Sequence, residues 1–293
     1  MYLLPTKSAL LHMRFFFSFF LLPVYVFALS QVPQFTVLNA VLIFVAWHVF
    51  VYPASNGYNS YFDKDEGSIA LLEKPPQVDK SLYWCSLVFD ALGFVVGLFV
   101  SFEFALATLI YGLLSKMYSH PTIRLKKYPI ISFLVVFVFQ GAFVYWVTYA
   151  ALAGESIFQI QAKGFLLAGI ICSCLIGASY PLTQVYQHDE DRKRGDKTLS
   201  LLLGVKGSFI FPGLLFGLSV LLMFRYWMLV KQPQNFWLFL IFVAPVMLVF
   251  FRWFFKVIEN KRNADFKNMS FMTLTSGCAM LVYFLLILLL RHT

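Results

Sequence analysis

Nine stretches of the chain are apolar over about the length a helix needs to cross a bilayer. They lie near residues 9–29, 34–55, 82–100, 102–118, 129–152, 163–184, 208–230, 236–255 and 270–290. Some hold Gly or Pro, which membrane helices tolerate. The link around Ser101 to Glu103 is so short that the third and fourth spans form a tight helical hairpin. The 293 residues are 60% hydrophobic and only 13% charged, with mean hydropathy +0.76, against about 25% charged in water-soluble domains. That leaves too little polar surface to coat a soluble globule, so a soluble enzyme, a disordered chain and a secreted disulfide scaffold are excluded. The expected fold class is all-α. It is a polytopic membrane protein whose nine transmembrane helices surround a central cavity open to the cytoplasmic side, in a single domain over residues 1–293.

The net charge of +9 is topological. Nineteen Lys and Arg flank the same side of the nine runs: Lys7, Arg14, Lys64, Lys74, Lys80, Lys116, Arg124, Lys126, Lys127, Arg192, Lys193, Arg194, Lys197, Lys206, Arg252, Lys256, Lys261, Arg262 and Lys267. Only Lys163, Arg225, Lys231 and Arg291 flank the other. The excess of positive charge on cytoplasmic loops puts the N-terminus in the cytoplasm and the C-terminus outside, and nucleic acid is not needed to explain the charge. No A-x-A-like cleavage site follows the first apolar run, which argues against a signal peptide. Cys85, Cys172, Cys174 and Cys278 lie in apolar stretches without metal-ligand spacing and read as small core hydrophobes.

Charge bias does not explain the acids. Nine of the fourteen Asp and Glu fall in two cytoplasmic loops: Asp63, Asp65, Glu66, Glu73 and Asp79 after the second span, and Asp189, Glu190, Asp191 and Asp196 after the sixth. The two segments repeat a pattern. YPASNGYNSYFDKDEG at 52–67 and YPLTQVYQHDEDRKRG at 180–195 match at Tyr52/Tyr180, Pro53/Pro181, Tyr58/Tyr186, Asp63/Asp191 and Gly67/Gly195, with Asn59 against Gln187. An internal duplication explains this simply. An amide and a carboxylate at i and i+4 lie one turn apart on one helix face. Two such ends facing each other would gather Asn59, Asp63, Gln187 and Asp191 around a common cavity. Hard oxygens of this kind suit Mg²⁺, which takes few protein carboxylates and leaves positions for water and phosphate. Neighbouring Lys and Arg would neutralise a phosphorylated substrate.

These segments resemble the motifs of the UbiA superfamily of intramembrane prenyltransferases. NSYFDKDEG (59–67) is similar to the family's first aspartate-rich motif, usually NDxxDxxxD. QHDEDRKRGDKTLSLLLG (187–204) is similar to its second, and YSHPTIRLKKYP (118–129) resembles its tyrosine- and basic-rich loop, most nearly the YSxPPxRLK form of the chlorophyll-synthase-like branch. The likeness covers essentially the whole chain. Ser60, Gly67 and Gln187 stand where family members often carry Asp, leaving Asn59, Asp63 and Asp191 strictly matched and Asp65, Glu66, Asp189 and Glu190 nearby; the number of metal ions stays open.

The resemblance implies transfer of an isoprenyl group from a prenyl diphosphate donor to a lipophilic acceptor, with diphosphate leaving, next to membrane lipid in the bacterial inner (plasma) membrane. It implies Mg²⁺ on Asn59, Asp63 and Asp191, with Asp63 and Asp191 catalytic; Gln187 and Asp189, which the family pattern does not assign, are further candidate metal ligands. It also implies diphosphate on Tyr118, Arg124, Lys126, Lys74, Lys197 and Arg14, and a water-poor chamber for the prenyl chain. The acceptor and the donor's chain length stay open, as do a transporter and a catalytically silent member of the same fold. A CDP-alcohol phosphotransferase is disfavoured, because its Asp-rich run with an Ala-Arg pair is missing from the sequence. His48 reads as a helix-interface residue, and His120 and His188 as residues within reach of diphosphate. Asp90, about nine residues into the third span, needs a partner or a cavity.

Overall fold

A computed structural model describes residues 5–64, 67–69 and 72–291, with the backbone alone for Arg194. Asp65 and Glu66 lie outside the described residues. The regular elements of the described residues are helices: α1 Lys7–His12, α2 Leu22–Gln31, α3 Val37–Phe44, α4 Tyr52–Asp63, α5 Lys80–Leu98, α6 Phe102–Ser119, α7 Pro129–Val136, α8 Val144–Ala153, α9 Phe165–Leu182, α10 His188–Arg194, α11 Leu199–Leu229, α12 Gln234–Glu259 and α13 Phe266–Leu290. Two π-helical stretches, Val45–Val51 and Phe137–Phe143, join α3 to α4 and α7 to α8, so each pair runs on as one segment. Among the described residues seven helices are long and apolar enough to cross a membrane, or eight if the bent pair Lys7–Phe20 and Leu22–Gln31 is one span. Nine were expected. The fourth expected span is present as α6, which carries Glu103 and Lys116 and is outside that set.

The chain divides into two compact units. In the first (Met1–Leu22, Val32–Lys126 and Val147–Gln159), α5 and α6 form the expected hairpin. Ser101 caps α6 by accepting from Phe104 N at 3.0 Å. Gly97 lets the two helices close, since a Cβ there would stand 2.9 Å from Ala105 Cα; small residues permit such backbone approach in lipid. Asp79 caps α5, accepting from Ser81 N at 2.7 Å and from Thr6 Oγ1 at 2.6 Å, and so ties α1 to the start of α5. Burial alone would raise the Asp79 carboxyl, but the hydrogen bonds from Ser81 and Thr6 outweigh it and hold the group below its usual value.

In the second unit (Pro23–Gln31, Lys127–Trp146 and Ile160–Thr293), α9 packs on α11 and on the π-helical stretch. Gly141 meets Ser173 so closely that a Cβ would lie 2.4 Å from Ser173 Cα. The Ala142 N–H donates to Ser173 Oγ at 2.9 Å, which satisfies a backbone group within the π stretch. A core of Phe209, Phe216, Phe250 and Trp253 joins α11 to α12. Apolar side chains such as Leu214, Leu221, Leu248 and Phe255 are left exposed, as a lipid-facing surface requires.

Candidate active site

The first motif ends α4. Asn59 and Asp63 both lie within that helix, so the i, i+4 spacing read from the sequence holds. The last turn of α6 and the loop after it meet α4 position by position. Lys116 Nζ stands 4.8 Å from the centre of the Tyr58 ring. Asn59 Nδ2 donates to Ser119 Oγ at 2.9 Å. The His120 ring lies 5.2 Å from that of Phe62. Lys126 Nζ forms a salt bridge and hydrogen bond with Asp63 Oδ1. A carboxylate expected to hold a cation and a lysine expected to hold diphosphate are therefore on each other, both largely shielded from water. Tyr118 and Arg124 are half-buried on the same segment. Arg14 reaches α4 from the other direction: its Nη2 donates to Asn56 O at 3.4 Å and its guanidinium lies 5.5 Å from the Phe17 ring.

Arg14, Lys64 and Arg124 have φ of 47°, 49° and 46°. Left-handed backbone is costly for residues with a Cβ, and such strain clusters at functional sites. Lys64 is the residue that ends α4, its N–H donating to Ser60 O at 3.0 Å. The Ser60 hydroxyl itself is buried without a partner among the described residues.

The second motif is built differently, and the repeat is inexact in three dimensions. Where α4 runs unbroken through its motif, α9 ends at Leu182, a 3-10 turn covers Val185–Gln187, and α10 begins at His188. Gln187 thus stands at the N-cap of α10 with φ −97° and ψ 4° and does not share a continuous helix with Asp191. Asp189, Glu190 and Asp191 occupy the first turn of α10, where the helix dipole favours negative charge. Asp191 is buried and accepts from Thr198 Oγ1 at 3.2 Å. Thr198 also caps α11 by accepting from Leu201 N. Asp189 is turned to solvent and pairs with Arg192 at 3.2 Å. His188 is buried, hydrogen-bonded at 2.7 Å to Ser200 Oγ, which bonds Ser208 Oγ at 2.7 Å. This network crosses the bend in α11 at Gly204, whose φ 67° and ψ 174° need a residue without Cβ. Lys74 and Lys197 are exposed.

Among the described residues no group of three or more His, Cys, Asp and Glu forms a metal cage. A cation that keeps waters and phosphate oxygens does not require one. Each motif by itself offers hard oxygens with one buried or nearly buried carboxylate, Asp63 at the first and Asp191 at the second, which is donor chemistry of the kind Mg²⁺ takes beside water and phosphate oxygens.

The model of the UbiA prenyltransferase family matches residues 17–277. The chain belongs to the UbiA prenyltransferase family. It is an integral membrane protein. A UbiA homologue from Archaeoglobus fulgidus, solved bound to DMAPP and Mg²⁺, superposes with TM-score 0.68 at 18% identity over 96% of this chain and 99% of that one. An apo UbiA homologue from Aeropyrum pernix K1 gives TM-score 0.68 at 19% identity over 92% and 98%. A digeranylgeranylglyceryl phosphate synthase gives 0.62 at 18% identity over 96% and 98%. No curated protein matches the chain. At these identities the structural likeness establishes the shared UbiA fold.

Several residues that contact the candidate site residues carry little signal in sequence. Ser119 and Thr198 lie inside recognisable motifs, Thr198 in the Thr-Leu element before α11, but their partners Asn59 and Asp191 emerge only from the structure. Lys116 reads as one more cytoplasmic charge, yet it pairs with Asp90. His48, as expected, is a helix-interface residue, its Nδ1 bonded to Ser18 O at 3.1 Å and its ring stacked on Phe44.

Proposed function

We propose that this chain transfers an isoprenyl group from a prenyl diphosphate to a lipophilic acceptor within the membrane, releasing diphosphate in a Mg²⁺-dependent reaction. The observation that carries the reading is the pairing of Asp63 with Lys126 beside Asn59. It unites the acidic motif and the basic loop in one compact cluster. Homologues solved with DMAPP or GPP and Mg²⁺ support the same donor class.

Asn59, Asp63 and Asp191 are the residues we assign to Mg²⁺, with Gln187 and Asp189 as further oxygen donors at the second motif. When bound, Mg²⁺ neutralises charge on the diphosphate and favours its departure. Lys126 and Arg124 supply cationic hydrogen bonds to the phosphate oxygens as the allylic C–O bond breaks. Tyr118 adds a phenolic donor from the same segment, and Arg14 a guanidinium from beside α4. Lys74 and Lys197, both exposed, serve in capturing the anion before it is enclosed. The Asp63–Lys126 pair keeps both charges compensated; donor binding requires each to exchange partners. We place the chain in a bacterial inner membrane, and the distribution of Lys and Arg supports an orientation with the N-terminus in the cytoplasm and the C-terminus outside.

The test is release of diphosphate by purified protein in nanodiscs supplied with labelled farnesyl or geranylgeranyl diphosphate and a membrane lipid extract. Release should require Mg²⁺ and be abolished by Asp63→Ala and by Asp191→Ala. Donor binding without turnover under any acceptor would favour a silent member. Absence of donor binding would refute the reading.

A further inference from the structure

We propose that Ser119 is a positioning residue: its hydroxyl sets which end of the Asn59 amide is presented to the cation. This rests on the prenyl-transfer reading above and extends it to a residue outside the acidic motifs.

An amide side chain has two ends of similar size and opposite character. The oxygen ligates a hard cation, whereas the NH₂ group points positive hydrogens at it. Asn59 is the better ligand when something holds the NH₂ end elsewhere, so that the oxygen is already turned toward the cation. In the structure Asn59 Nδ2 donates to Ser119 Oγ at 2.9 Å, which leaves Oδ1 as the end available to a cation; Asp63 stands one turn further along the same face of α4. Ser119 is itself only 1% exposed and ends α6, so water does not readily replace it as the partner. Its position is anchored on both sides. Three residues earlier Lys116 pairs with Asp90 and lies over Tyr58, and one residue later His120 packs against Phe62. The hydroxyl is therefore delivered to Asn59 by a rigid helix end rather than by a mobile loop. Groups that orient metal ligands in this way typically contribute about 10- to 100-fold to metal affinity.

The experiment measures Mn²⁺ affinity by electron paramagnetic resonance on the full chain in nanodiscs, with geranyl thiodiphosphate as a slowly reacting donor analogue, alongside thermal unfolding of each variant. Ser119→Ala should weaken Mn²⁺ binding about 10-fold or more, with little change in unfolding temperature. Ser119→Thr, which keeps the hydroxyl, should recover most of that affinity. Asn59→Ala should lose a similar amount, and Ser119→Ala should add nothing further in the Asn59→Ala background, because the two act through one ligand. Ser119→Cys, close in size but a poor acceptor, gives the same readout should the alanine variant fold badly; it should bind like Ser119→Ala. Parental affinity in both Ser119→Ala and Ser119→Cys, or losses that add in the double variant, would overturn the proposal while leaving the prenyl-transfer reading intact. Parent protein that binds no Mn²⁺ with the analogue would overturn both.

Discussion

Breaking the Asp90–Lys116 pair should destabilise the protein far more than removing it. Asp90 sits inside α5 and Lys116 inside α6, and their side chains are only 20% and 15% exposed. Gly112 allows the approach, since a Cβ there would stand 3.2 Å from Asp90 Oδ1. Lys116→Met keeps the length of the side chain but strands the carboxylate, a loss of about 3–5 kcal/mol for a buried pair. Partial exposure argues for the lower end, about 3 kcal/mol, or about 150-fold in the folded-to-unfolded ratio. The contact of Lys116 with Tyr58 adds about 0.5–1 kcal/mol. Replacing both partners, Asp90→Asn with Lys116→Met, removes the stranded charge and should recover at least about 2 kcal/mol of the single-variant loss. The assay is equilibrium unfolding in mixed SDS micelles followed by fluorescence of the six Trp. A double variant as unstable as the sum of the two singles would refute the reasoning, since the charges would then not be coupled.

Three further outcomes are expected. Gly141→Ala should prevent proper packing, costing about 3 kcal/mol or more, because the added Cβ would meet Ser173 backbone at 2.4–2.5 Å; Gly217→Ala, with nothing within 4 Å, should be neutral or stabilising in the same thermal assay. Thr198→Val should cost about 1 kcal/mol through loss of the α11 cap and remove the hydroxyl that donates to Asp191, while Thr198→Ser should match the parent in unfolding temperature and in Mn²⁺ affinity. Asp79 has a folded-state value below that of the unfolded chain, so its stabilisation is fully present above the ordinary Asp value of about 3.9 and is lost as pH falls through the lower folded value. A thermal-melt series on the acid side should show that decline, and Asp79→Asn should remove this part of it.

The sequence by itself determined that the chain lives in a membrane, because composition and run length leave no other way to satisfy so much apolar surface. It also placed the two acidic motifs and the basic loop, since local spacing is enough to put Asn59 and Asp63 on one helix face. Local spacing was less reliable at the second motif, where the break between Leu182 and His188 separates Gln187 from the helix of Asp191. Which side chains meet was decided only in three dimensions. Asp90 lies 11 residues before Ser101 and Lys116 15 residues after it. In an antiparallel hairpin that leaves an offset of four residues, about 6 Å, so their pairing was within reach of reasoning. Asn59 with Ser119, Asp63 with Lys126 and Asp191 with Thr198 were not. Such contacts depend on how each helix is rotated about its own axis and where it ends. Those quantities are set by close packing at positions such as Gly97 against Ala105 and Gly141 against Ser173, and hydrophobic pattern alone does not encode them.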